Sequence, residues 1–154
     1  MKKKLSTLRG KKIGFIFQQF NLIPTLTALE NVLLPTIFQN MPKVEREKIA
    51  LTLLNRVGLQ DRLDHKPGQL SGGQQQRVAI ARSLVNNPEI ILADEPTGNL
   101  DSASGVAVME MIQELHREGK TIVLITHDSR LVQFATRVIH IKDGTVEKET
   151  KNII

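Results

Sequence analysis

Adjacent carboxylates, Asp94 and Glu95, stand directly after the apolar run Ile90-Ile91-Leu92-Ala93 and before Pro96-Thr97-Gly98. Such a run reads as a buried strand. At its end, two neighbouring carboxylates point in different directions, so one can meet a divalent cation while the other addresses a water. Phosphoryl transfer needs both tasks done. A bare Asp-Glu pair would read as a solvated strand end; the flanking context weighs against that here. Leu70-Ser71-Gly72-Gly73-Gln74 is the second chemistry-bearing string. Its glycines let the backbone approach an anion, and a following helix N-terminus offers N–H groups and a positive dipole end. Ser71 can bond a phosphate or simply cap that helix in an S-x-x-Q box with Gln74. His127 follows the apolar run Thr121 to Ile125. A lone His is more often structural, yet in a parallel sheet this strand end lies beside the one carrying Asp94 and Glu95. Gln18 and Asp101 carry, by themselves, only surface and N-cap readings.

The elements that position these residues follow from patterning. Lys11 to Phe17 is apolar and reads as a buried strand ending at Gln18. Thr27 to Glu30 is a capping box, with Pro35 kinking or ending its helix. Lys43 to Val57 puts Ile49, Ala50, Leu53, Leu54 and Val57 on one helical face, and Gly58 is the expected stop. Asp61 to Gln69 reads as a polar linker. A helix is predicted from Ser71 through Val85, in which Arg77 and Arg82 read as solvated charges. Strand Glu89 to Ala93, a helix from about Ser102 to Glu118 capped by Asp101, and strand Thr121 to Ile125 follow. Asp128 caps a short helix. Val138 to Lys142 and Thr145 to Lys148 flank Asp143-Gly144, a two-residue hairpin signal. Strands alternating with helices predict an α/β, mainly parallel sheet interrupted by a helical insert.

Composition narrows the class. The chain has 154 residues, 40% hydrophobic and 24% charged, and no Cys. No apolar run approaches the roughly 18 residues needed to span a bilayer. The basic start, Met1 to Lys4, has no apolar segment after it, which argues against a secretion signal. Thiolate metal sites and disulfides are excluded. The net charge of +5 reads first as solubility plus a lysine-rich N-terminus. Nucleic acid is the sharper reading, but Trp and Tyr are absent and no stacking platform is encoded, so it is not an expected partner.

Taken in order, Gln18, Leu70 to Gln74, Ile90 to Glu95, Asn99-Leu100-Asp101 and Thr126-His127 resemble the Q-loop, signature, Walker B, D-loop and H-loop of ATP-binding cassette (ABC) ATPases. The resemblance runs from about Lys11 to Lys148. The stretches GFIFQQFNLIPTLTALENVLLP and LADEPTGNLDS look most like the branch serving lipoprotein-release, macrolide-export and cell-division-type transporters. The resemblance implies a P-loop NTPase-like fold. Residues from about 27 to 86 would form a helical subdomain bearing the signature, and 11–18 with 87–149 the rest of the α/β core. It implies ATP and Mg²⁺ as cofactors. Asp94 would hold the metal through water, with Gln18 (Gln19 is a rival by adjacency) touching metal and water. Glu95 would be the general base and His127 would contact the γ-phosphate. Ser71, Gly72, Gly73 and Gln74 would close over ATP held by a partner subunit, and Asp101 would sit in a loop crossing that interface. Implied partners are an integral membrane permease subunit and a second ABC ATPase subunit, head to tail. The implied location is cytoplasmic, peripheral at the inner face of the cell membrane. Residues Gln18 to Val32, with exposed Phe20, Leu22, Ile23 and Pro24, would form part of the permease groove.

Family members also open with an antiparallel β-subdomain, an adenine-stacking aromatic and a phosphate loop. No G-x-x-x-x-G-K-[ST] run occurs in these residues. Gly119-Lys120-Thr121 looks like the end of one, but position 114 is Glu and a strand follows rather than precedes it. Gly10-Lys11-Lys12 fails for similar reasons. The expectation is a partial ABC ATPase domain, inactive alone, with a missing strand beside those carrying Asp94 and His127. The alternative is a non-catalytic fragment that binds an intact ABC subunit or permease and lends its signature loop in trans. A chromosome-maintenance ATPase is disfavoured, because no heptad coiled coil separates Gln18 from Leu70.

Overall fold

Three short apolar segments, each with side chains alternating across a sheet, build the centre of the molecule. A computed structural model describes residues 10–37, 39 and 41–152. The strands are β1 (Ile13–Ile16), β2 (Ile90–Asp94) and β3 (Thr121–Ile125), parallel and ordered β1-β2-β3. Their register aligns Phe15 with Leu92 and Val123, and Ile16 with Ala93 and Leu124. The first strand starts later than the sequence pattern predicts, because residues 10–12 are helical. Because β2 is paired on both sides, no further strand can lie beside the one carrying Asp94. Among the described residues the far edges of β1 and β3 are unpaired, so a further strand could lie beside β3 but not beside β2, which corrects the expectation of a gap next to both.

Between β1 and β2 all regular structure among the described residues is helical: α1 (Ala28–Leu33), α2 (Lys43–Arg56) and α3 (Gly72–Leu84), with short 3₁₀ turns. The Thr27 capping box forms as expected, and Pro35 sits in a 3₁₀ turn that succeeds α1. The stretch predicted as a linker is structural. Its carbonyls at Leu63 and His65 accept the first N–H groups of α1, from Leu29 and Ala28. Those donors have no intrahelical partner, so the linker completes the helix. Asn31, fully buried, fixes the loop before it through four hydrogen bonds to Ile23, Leu26 and Thr27.

Helix α4 (Ser102–Arg117) joins β2 to β3 and buries Val108, Met109, Ile112 and Leu115. Helices and sheet share one core: Ile16, Val32, Leu54, Val78, Ile80, Ile91 and Val108 belong to a single cluster. Gly14 is required where β1 meets α3, since a Cβ there would lie 2.5 Å from the Ser83 carbonyl oxygen. The opposite face of the sheet is open, with Phe15, Val123 and Ile125 exposed. The hairpin β4 (Arg137–Lys142) and β5 (Thr145–Lys151) forms a separate antiparallel sheet. Its turn residues Asp143 and Gly144 have φ of 50° and 77°, the signs a tight hairpin turn needs. No helix among the described residues is long and apolar enough to cross a membrane.

Candidate functional site

The C-terminal ends of β1, β2 and β3 all lie on one side of the sheet, where open α/β sheets place ligands. Gln18 follows β1, Asp94 ends β2 with Glu95 next, and His127 follows β3. The Glu95 N–H continues the β2–β3 ladder by donating to the Ile125 carbonyl at 2.9 Å. Its φ of 44° is left-handed, a conformation costing a non-glycine residue about 1–2 kcal/mol. That turn swings the carboxylate toward β3. Oε1 accepts from the His127 backbone N–H at 2.7 Å and meets His127 Nδ1 at 2.6 Å, while Oε2 accepts from the Thr126 hydroxyl at 3.0 Å. Thr126 Oγ1 in turn accepts from the Asp128 N–H at 3.0 Å. Partial burial alone would raise the Glu95 carboxyl. The hydrogen bonds from the His127 ring and backbone and from Thr126, with the His127 charge, outweigh it and hold the carboxyl below its usual range. An ionised carboxylate only accepts, so Nδ1 carries a hydrogen in this contact. The His127 side chain is otherwise 85% exposed.

Asp94, at the strand terminus, is exposed. Gln18 is half-buried and Gln19 exposed. The Gln18 carbonyl accepts from Asn99 Nδ2 at 2.9 Å, and its side chain lies against Gly98, where a Cβ would sit 2.6 Å from Nε2. Among the described residues, no group of three or more His, Cys, Asp or Glu side chains could cage a metal. One carboxylate and one amide suit Mg²⁺, which keeps several waters and relies on substrate phosphates for the rest of its shell.

Ser71 caps α3: its Oγ accepts from the Gln74 N–H at 3.3 Å, and Gln74 Oε1 accepts from the Ser71 N–H at 2.9 Å. Ser71 itself is exposed. The two glycines face inward along the chain's own surface. A Cβ on Gly73 would lie 2.7 Å from Ser104 Oγ, and one on Gly72 would sit between Leu100, Asn99 and Phe20. Asp101 caps α4, with Oδ1 2.9 Å from the Ser104 N and Oδ2 2.7 Å from its hydroxyl. The Ser104 N–H and then its hydroxyl hold the Asp101 carboxyl low. The structure thus gathers Gln18, Asp94, Glu95 and His127 at the strand ends, with Gly72, Gly73 and Asp101 along one neighbouring seam and Ser71 and Gln74 capping the start of α3.

Several expectations need correction. Arg77 and Arg82 are not solvated charges. Arg77 Nη1 donates to the Val57 carbonyl at 3.2 Å, and Arg82 donates to the carbonyls of Phe20 and Asn21. Leu22 packs against the core and Phe20 is half-buried, so only Ile23 and Pro24 of that group are exposed. Gln76, Thr126 and Arg82 are site neighbours that sequence reasoning missed. A partial signal existed for Arg82: it lies between the apolar run Val78-Ala79-Ile80-Ala81 and Leu84-Val85, so it stands in the apolar half of α3. The rejected phosphate-loop look-alike is structural, since Lys120 Nζ donates to Asn87 Oδ1 at 2.6 Å and to the Pro88 carbonyl at 2.7 Å.

Comparison with known proteins gives the same direction. Residues 1–98 match the family described as ABC transporter. The chain is 54% identical over 145 residues to an uncharacterized ABC transporter ATP-binding protein of Thermotoga maritima, covering 94% of this chain and 62% of that protein. It is 55% identical over 148 residues to the macrolide export ATP-binding/permease protein MacB of Aggregatibacter actinomycetemcomitans, covering 96% of this chain and 23% of that protein. Its fold matches the dimeric post-hydrolysis state of the ATP-binding cassette MJ0796 bound to ADP and Pi, with a TM-score of 0.85 and 54% identity over 98% of this chain and 67% of that one. The chain therefore spans less than two thirds of the length of the first two relatives.

Proposed function

Because the chain belongs to the ABC transporter ATP-binding family, we propose that it forms part of an ATP-hydrolysing subunit that drives export or lipoprotein handling through a membrane permease. The observation that carries this reading is the Glu95 carboxylate, held by His127 and Thr126 beside the exposed Asp94 at the end of the central strand. ATP with Mg²⁺, when bound, supplies the γ-phosphoryl group and neutralises its developing charge. Glu95 orients a water and accepts its proton; Asp94 holds the metal's water shell, with Gln18 beside it. His127, released from Glu95 or shared with it, addresses the γ-phosphate side. Ser71 to Gln74 and Asp101 serve the site across a head-to-tail dimer, facing nucleotide held by a second subunit. The dimeric relative bound to ADP and Pi supports that arrangement.

A permease contact is supported by a groove of about 340 Å³ lined by Leu26, Glu30, Leu33, Leu34, Ile37 and Arg46. Ile23 and Ile37 are exposed there and nearby, and exposed apolar groups of this kind mark contact surfaces. MacB, which joins ATP-binding and permease parts in one protein, supports export as the direction. We place the subunit at the inner face of the cell membrane.

A second reading rests on the exposed Ser71 end of α3: this chain lends its signature to an intact subunit without turning over ATP itself. Titration with a fluorescent ATP analogue and steady-state turnover separate the two. The proposed function expects weak binding and no turnover by these 154 residues alone. It expects both to appear in a fusion carrying, ahead of this chain, the N-terminal part of the MJ0796 cassette that this chain does not cover. A fusion that binds ATP yet never hydrolyses it would favour the second reading. Micromolar binding by the purified chain would overturn the assignment of the phosphate cradle to other polypeptide.

A further inference from the structure

We infer that Arg82 and Gln76 are positioning residues by which α3 holds the two loops carrying Gln18 and Glu95, so that whatever engages the Ser71 end of this helix also sets both side chains. The inference deepens the proposed function and rests on it for the roles of Gln18 and Glu95. The ties themselves are geometric. Arg82 Nη2 donates to the Phe20 carbonyl at 2.7 Å, and Nη1 donates to that of Asn21. Phe20 and Asn21 are both left-handed, with φ of 59° and 49°. A turn strained at two successive non-glycine residues persists only when its surroundings fix it, and the guanidinium fork grips both carbonyls at once. Burial pushes the Arg82 guanidinium down from its ordinary value, so this placement is unfavourable for the charge and is explained by what it holds.

The second tie runs to the other loop. Gln76, fully buried, donates from Nε2 to the Pro96 carbonyl, one residue past Glu95. Its Oε1 is buried and has no partner among the described residues. An apolar side chain of the same shape would suit a stability role better, so the amide is best explained by the loop it grips. Residues 76 and 82 are about 9 Å apart along the helix. The two loops also touch each other, through Asn99 on the Gln18 carbonyl and Gly98 under the Gln18 side chain. A rigid helix fixed to both turns, with its capped N-terminus exposed, moves them as one body.

Native-state amide exchange on this chain tests the ties without nucleotide. In the unaltered protein, the amides of Phe20, Asn21, Gly98 and Leu100 should share the opening free energy and denaturant slope of the α3 amides. Gln76→Met should speed Gly98 and Leu100, and Arg82→Gln should speed Phe20 and Asn21, each about tenfold, the factor set by one ordinary hydrogen bond. Arg82→Lys should restore part of the protection, and amides in α2 and in the β4–β5 hairpin should be unmoved. In the ATP-hydrolysing fusion, Gln76→Met and Arg82→Lys should lower kcat while leaving the KM for ATP unchanged. Loops that exchange independently of α3 in the unaltered chain, or variants that leave kcat untouched, would overturn the inference. A fusion with normal exchange coupling but no turnover would instead overturn the ATPase reading and leave the ties standing.

Discussion

His127 closes on Glu95 with two nitrogens at once: ring Nδ1 at 2.6 Å and the backbone N–H at 2.7 Å meet the same carboxylate oxygen, Oε1. Neither contact would form without the left-handed backbone of Glu95, which turns the chain off β2 and toward the end of β3. The proposed general base is thus parked on the residue proposed to sense the γ-phosphate. Substrate that draws His127 away would also free Glu95 to take a water.

Thr126 holds the other carboxylate oxygen, so Thr126→Val should move Glu95 titration upward, toward the usual carboxyl value, while Thr126→Ser should not. The sign follows from a carboxyl depressed in the folded state. Its stabilisation is complete above the unfolded value of about 4.3 and is lost as pH falls through the lower folded value. Carboxyl ¹³C NMR on the chain reads this directly. An unmoved titration in the Val variant would show that the hydroxyl contributes nothing.

The signature glycines differ in what they face. Gly73→Ala should destabilise the chain by about 1–3 kcal/mol, the usual range for an overpacked contact, because its Cβ would lie 2.7 Å from Ser104 Oγ and 2.9 Å from Ser104 Cβ. Gly72→Ala should be nearly neutral, since its nearest neighbour is Leu100 Cδ2 at 3.5 Å. Urea unfolding of both variants checks the order. Equal costs would mean the seam between α3 and α4 relaxes freely.

Much of this arrangement was legible in the residues, for identifiable reasons. Ile90 to Glu95 and Thr121 to His127 read correctly as parallel strands ending in polar residues, but the expected burial holds for β2 and not for β3, which alternates exposed and half-buried residues. Thr27, Ser71 and Asp101 cap helices as their spacing predicts. What failed was tertiary. The fate of Arg82 depends on a turn 61 residues away in sequence, at Asn21. The Asp61 to Gln69 stretch looked like a linker because its contribution lies in backbone carbonyls, which composition does not reveal. The order of strands, which pairs β2 on both sides and leaves the free edges to β1 and β3 among the described residues, also follows from packing and not from local pattern.

The exposed Ile23, 40% accessible, is a better probe of the proposed permease contact than Leu22, which packs inward. Ile23→Cys in the fusion, co-expressed with a permease subunit carrying single cysteines in its cytoplasmic loops, should crosslink to that subunit. Crosslinks confined to this chain's own helices would mean the segment serves internal packing alone.

Glu95→Gln in the ATP-hydrolysing fusion tests the central claim most directly. Steady-state turnover should fall about 10²–10⁴-fold, the usual cost of losing a positioned base, while binding of a fluorescent ATP analogue is retained. Turnover within about threefold of the parent, far short of that cost, would contradict the assignment of Glu95 and with it the account of the site.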